Sequence, residues 1–142
     1  MQIEVNMKKS GRWVEASVPA VRVYTQGKSF KDAAAMVVDA VELLADTYGI
    51  KAKASVKRTP GVGWALGFDS DAALIAFVLK RHRRERGISV ERAAKAIGQR
   101  SNQAISRYEH GRQPPTIATL QKLLRAIAPE VRLQLVAPSR AA

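Results

Sequence analysis

The sequence predicts an α+β chain: a small sheet domain in the order β-β-β-α-β-β over residues 1–68, followed by an all-α domain over residues 69–137. Three observations carry this. Up to Phe68 apolar and polar residues alternate with the period of two that half-buried strands show, interrupted by one helical stretch. From Asp69 onward the period becomes 3.6. The charge divides at the same place: residues 1–68 hold ten Lys/Arg against six acids and residues 69–142 fourteen against six, so the net +12 splits into +4 and +8.

The first strand places Ile3, Val5 and Met7 on one side against Gln2, Glu4 and Asn6, and turns at Ser10-Gly11. Trp13 to Val18 and, beyond Pro19-Ala20, Val21 to Tyr24 complete a three-strand meander. Ser29-Phe30-Lys31-Asp32 is a capping box, in which the serine oxygen takes the amide of Asp32 and the carboxylate reaches back to the amide of Ser29. The helix it starts carries Ala33, Met36, Val37, Ala40, Val41, Leu44 and Tyr48 as one apolar stripe, expected to lie on the sheet, and Gly49 ends it. Ala52, Ala54 and Val56 alternate with lysines in a fourth strand; Trp64 to Phe68 make a fifth after the turn Thr59-Pro60-Gly61.

In the second half a helix starts at Asp71, with Leu74, Ile75, Val78, Leu79 and His82 on one face and the basic run Lys80–Arg84 around its end, and stops at Gly87. A second helix follows Ser89, with Val90, Ala93, Ala94 and Ile97 apolar, and closes at Gly98. A third fits Asn102 to Glu109, and a fourth runs from Thr116 with Ile117, Leu120, Leu123, Leu124 and Ile127, stopping before Pro129. Val131 to Val136 is a late strand candidate, and residues 138–142 form a frayed tail.

Cysteine is absent, which removes disulfide scaffolds, thiolate metal sites and cysteine nucleophiles. No apolar run approaches the roughly 18 residues a bilayer span needs, and the start MQIEVNMKKSG lacks the apolar core of a signal peptide, so a cytoplasmic protein without membrane contact is expected. His82 and His110 have no partner at metal-ligand spacing, so neither a metal nor a cofactor is expected. Two-metal hydrolysis would need converging carboxylates. Glu4 and Glu15 fall on neighbouring strands, but the stripe turns Asp39 and Asp46 away from the sheet, so no enzyme activity is expected.

Two short helices joined through a glycine, with small alanines where they cross, are the ingredients of a helix-turn-helix. Ile105 plugs the inner face of the second, leaving Asn102, Gln103, Ser106 and Arg107 outward. These are types suited to base edges, since Asn and Gln can pair bidentately with adenine and Arg with guanine. Arg83 and Arg84 in the basic run, Arg100 and Ser101 at the helix start, and Arg112 after it are expected at phosphates. One helix-turn-helix reads a half-site, so double-stranded operator DNA calls for a homodimer or higher homo-oligomer.

The stretch AAKAIGQRSNQAISRYEHGRQPPTIATLQKLLRAI resembles the helix-turn-helix of the phage-repressor (Xre or Cro/C1) superfamily, through Gly98, Ile105 to Arg112, the prolines before the last helix and its leucine rows. Seven positions separate Gly98 from Ile105, one more than the commonest pattern of that superfamily. The stretch WVEASVPAVRVYTQGKSFKDAAAMVVDAVELLAD resembles HicB antitoxins, with their aromatic-bearing strand, proline turn, T-x-G stretch (Thr25-Gln26-Gly27) and helix rich in alanine and acids. That resemblance implies a partial ribonuclease-H-like toxin-binding domain over residues 1–68 and a DNA-binding domain over 69–137. It further implies an antitoxin that neutralises a HicA-type mRNA-cleaving toxin and represses its own operon, without saying which residues touch the toxin. Two other functions fit the same residues: a stand-alone repressor without a toxin, and a protein-interaction module. HicA toxins tend to be basic, and the first domain is itself net positive.

Overall fold

The computed structural model describes residues 1–137, and the expected frayed tail lies outside the described residues. Five strands, β1 (Ile3–Ser10), β2 (Trp13–Val18), β3 (Val23–Gly27), β4 (Ala54–Thr59) and β5 (Gly63–Phe68), form one antiparallel sheet in the order β3-β2-β1-β5-β4. The expected order β-β-β-α-β-β is observed, with α1 at Phe30–Thr47. Because residues opposite one another in a ladder share a face, the pairs Val5–Trp64, Ile3–Leu66, Met7–Ala16 and Val56–Leu66 mark a single apolar face. Onto it α1 presents Ala33, Val37, Val41 and Ala45, all fully buried at steps of four. The expected stripe is thus narrower than its sequence: Met36, one column off that row, is 41% exposed, and Ala45 takes its place in the core.

Ser29 caps α1, its hydroxyl accepting from the Asp32 amide at 3.0 Å. The return arm reaches one residue further than expected, with the Asp32 carboxylate accepting from the Lys28 amide at 2.7 Å. Here the chain is tight: a β-carbon on Gly27 would come within 2.3 Å of the Ala33 backbone nitrogen. The end of β3 and the first turn of α1 can approach only because that residue has no side chain.

The helical half comprises α2 (Asp71–Glu85), α3 (Val90–Ala96), α4 (Gln103–Glu109) and α5 (Ile117–Ile127). Of these α2 departs most from expectation. Instead of one apolar face, every residue from Ala73 to Leu79 is buried. Phe77 stacks on Phe68 at a centroid distance of 5.8 Å and lies 6.2 Å from Tyr48, while the other side of the helix packs on α4 and α5. One buried core therefore runs from the sheet through α2 into the helix-turn-helix. Ile117 also leaves its expected stripe; it is 72% exposed at the first turn of α5, and the helix is held by Leu120, Leu123, Leu124 and Ile127. The expected strand Val131 to Val136 is not formed, because no second strand lies beside it: residues 131–137 are irregular.

A ring of charge clamps the halves together. Between β2 and β3 a single 3₁₀ turn, Pro19–Val21, ends at Arg22, the one non-glycine described residue in the left-handed region (φ 53°). Its guanidinium reaches Glu85 at 3.3 Å and Glu130 at 2.8 Å. Arg81 donates to the carbonyls of Val21 and Arg22 and pairs with Glu85, the buried His82 shares a hydrogen bond with the Ala20 carbonyl at 2.7 Å, and Arg86 meets Glu130 at 2.6 Å.

Burial works against the Glu130 charge, but its own backbone amide and the guanidinium groups of Arg86 and Arg22 outweigh it and hold the carboxyl at about 2, against 4.5 ordinarily. A carboxyl depressed in the folded state stabilises above its unfolded pKa and loses that contribution as pH falls through the folded one. Stability from this clamp is therefore expected to be full above pH about 4.5 and to drain away toward pH about 2. Thermal melts across that range check it; Glu130→Gln should show a flatter acid profile, and identical profiles would contradict the assignment.

Candidate nucleic-acid interface

Ser89 starts α3, its hydroxyl accepting from the Arg92 amide at 3.1 Å, and Gly98 in the left-handed region (φ 75°) turns the chain toward α4. Ala93, Ala94, Ala104 and Ile105 are buried at the crossing of the two helices, small residues permitting the approach and Ile105 filling it as expected. The period of 3.6 then dictates what faces outward. Gln103, Ser106 and Arg107 are exposed, with Gln103 and Arg107 one turn apart on the same line. Ser106 lies 3.3 Å from Nδ1 of His110, which continues that surface.

Asn102 stands at the N-cap of α4, but its side chain does not cap: Nδ2 donates to Glu91 at 3.1 Å, tying the turn back to α3. The Glu91 carboxyl is held below its ordinary value by its own backbone amide and then by Asn102. The cap role falls instead to Ser101, whose hydroxyl accepts from the Gln103 amide at 3.1 Å. Arg100 before α4 and Arg112 after it are both exposed.

The basic run is used differently from the expectation. Arg83 donates Nε and Nη2 to the two carboxylate oxygens of Glu109 at 2.6 and 2.8 Å, and Nη1 to the Ile88 carbonyl at 2.9 Å. The side chains are 12% and 6% exposed, and the bond to Glu109 raises the Arg83 pKa further. Expected at a phosphate, Arg83 instead has three nitrogens committed to holding α4 against α2. Arg84 is exposed, with its guanidinium 5.6 Å from the Tyr48 ring, and Lys80 donates to the Tyr48 carbonyl at 2.8 Å; this side of α2 faces the end of α1. The run Lys80–Arg86 thus contributes mainly to the joint between the two halves.

Around α3 and α4, Arg92, Lys95, Arg100, Arg107 and Arg112 are exposed and belong to no ion pair among the described residues. Arg92 and Lys95 were missed by sequence reasoning, although both fall on the polar side of a helix whose apolar side was identified. Glu109 was missed because its partner is 26 residues away. Elsewhere, Glu4 and Glu15 alternate onto the sheet face opposite α1, so the sheet separates them from Asp39 and Asp46. Among the described residues no group of three His, Asp or Glu is placed to hold a metal ion, and no helix is long and apolar enough to cross a membrane.

Residues 79–128, from the last turns of α2 to the end of α5, match a family of helix-turn-helix domains. No curated protein matches the chain. The helix-turn-helix match supports DNA binding and transcription regulation for this part of the chain.

Proposed function

We propose that the protein represses transcription by binding double-stranded operator DNA with the outward face of α4, as a homodimer or higher homo-oligomer in which each copy reads a half-site. The observation that carries this is the pairing of opposite faces on one short helix. Ile105 is buried behind, and Gln103 and Arg107 stand exposed in front, one turn apart. Gln103, Ser106 and Arg107, with Asn102 beside them, read bases; Arg100, Ser101 and Arg112, joined by Arg92 and Lys95, meet phosphates.

The two roles separate by experiment. Arg107→Ala or Gln103→Ala is expected to cost about 1–3 kcal/mol on the preferred sequence and much less on random DNA, so that preference relaxes. Arg100→Ala should weaken all sequences alike and reduce the salt slope by about one. Fluorescence anisotropy with specific and scrambled duplexes over a salt series reads both. Equal loss on both duplexes in the Gln103 variant would remove base reading from that residue.

A second reading adds a protein partner, a HicA-type toxin that the sheet domain would neutralise. It is supported by the element order that the HicB resemblance implies and by the way charge is distributed on this domain. Since β1 and β4 both run antiparallel to β5, both hairpin turns lie at one end of the sheet, and Lys8, Lys9, Arg12, Lys57 and Arg58 gather there. The outward side of α1 carries the exposed row Met36, Asp39, Leu43 and Asp46, acidic and apolar, which suits a basic protein. Co-expression with a small basic open reading frame adjacent to the gene is expected to give a complex that Asp39→Lys with Leu43→Glu releases while DNA binding persists. Persistence of the complex would move the contact elsewhere, and absence of any complex would leave a stand-alone repressor.

A further inference from the structure

Residues Val131 to Val136 have a strand's sequence and no strand beside them. Val131, Leu133 and Leu135 alternate with Arg132 and Gln134, the pattern of a ribbon with one apolar side. Leu135 is fully exposed, Val136 is 50% and Leu133 39% exposed, next to a domain whose other large aliphatic residues are mostly buried. The segment is not a loose end at its start. The Val131 amide donates to the Ala128 carbonyl at 2.9 Å, its side chain packs on the core, and Glu130 before it is held by Arg22 and Arg86. Arg22 directly precedes β3, an edge strand, yet the segment does not join that edge. Pairing within the chain, favoured by proximity, is not used.

We propose that residues 131–136 pair antiparallel with the same residues of a second copy, making an intermolecular two-stranded ribbon that relates two helix-turn-helix domains by a two-fold axis. This deepens the reading of the protein as a dimeric operator binder and rests on it. Sequence chemistry selects the register. With Leu133 opposite its own copy, Val131 faces Leu135, so three aliphatic residues from each chain share one side, while Arg132 faces Gln134 and Glu130 faces Val136. Shifting by one pair in one direction would set Arg132 against Arg132, a like-charge contact, and in the other would centre on Gln134 and leave Val131 without an aliphatic partner among residues 131–136. An isologous contact of this kind closes after two copies. A bare two-stranded ribbon is marginal in water. Here its apolar side continues the partly buried surface of Val131 and the end of α5, and each segment gains a partner along one of its two edges.

The absence of cysteine makes the test clean. In the full chain, Leu133→Cys is expected to form an intermolecular disulfide under mild oxidation, faster than Gln26→Cys on the β3 edge or Lys57→Cys on the β4 edge. Sedimentation of the unmodified protein without DNA should give two chains per particle, and Leu135→Glu, at a position fully exposed in the folded chain, should raise the dimer dissociation constant at least about 30-fold with the fold intact by circular dichroism. A monomer at micromolar concentration, a dimer unaffected by Leu135→Glu, or quicker cross-linking through either sheet edge would overturn the inference. Since association is read without DNA, these outcomes are independent of base reading: a monomer that still prefers its operator would retain the DNA reading and lose this one.

Discussion

Replacing Glu109 with alanine is expected to destabilise the protein by about 3–5 kcal/mol, lowering Tm by about 10–17 °C. The cost comes less from the lost attraction than from what remains. Arg83 would keep a guanidinium that is 12% exposed, with two of its donors facing a void. Removing both partners should therefore be far milder than removing one; Arg83→Met combined with Glu109→Leu is expected to recover most of the loss, because a packed apolar pair leaves no charge uncompensated. Denaturant melts of the single and double variants measure this directly. The same series separates two roles for Arg83. A phosphate contact would leave stability intact in Arg83→Ala and flatten only the salt slope. An internal tether to α4 predicts a collapse in stability, with DNA affinity falling on every sequence as the reading helix loses its seat.

Phe77→Ala should be comparably severe, at about 3–5 kcal/mol, since a fully buried ring between Phe68 and Tyr48 would leave a cavity at the joint between sheet and helices. Its more informative outcome is the shape of the transition. Because α2 is buried by both halves, β-sheet and α-helical signals are expected to be lost together in one cooperative step, in the unmodified protein and in the variant alike. Two separated transitions would show that the sheet domain and the helices hold independent cores. On the same grounds, cutting the chain before α2 should expose the surface around Phe68, Tyr48 and Phe77 to water and give insoluble pieces.

Much of this architecture was legible because it is written locally. The capping serine of α1, the left-handed glycines at 49, 87, 98 and 111, and the alternation of β1, β2 and β5 each depend on neighbours within a few residues. So does the outward face of α4, which follows from a period of 3.6 and one buried isoleucine. What was not legible depends on distance. That β5 inserts between β1 and β4 is a choice among strand pairings with similar local sequences. The basic run at the end of α2 has the composition of a phosphate-binding segment, and only the positions of Tyr48, Glu109, Glu130 and the 19–22 turn show that its cations are largely spoken for. The apolar block from Ala72 to Leu79 contains too few polar residues to define a face, which is itself the mark of a helix covered on all sides. Val131 to Val136 shows the converse: strand propensity without a partner produces no strand.

The charged clamp has a consequence for how the chain is made. Arg22 and Glu130 are separated by 108 positions, so the partner of the first is added to the chain long after it. Since α2 ends at Glu85, the sheet and α2 wait about 2–9 s for that carboxylate at roughly 5–20 residues per second. A nascent chain, or one cut short before residue 130, therefore carries Arg22 and Arg86 with a shared counter-ion missing, and it should be more open to proteases at the 19–22 turn than the finished molecule. Arrival of the segment after α5 is thereby registered in the sheet domain, through Arg22.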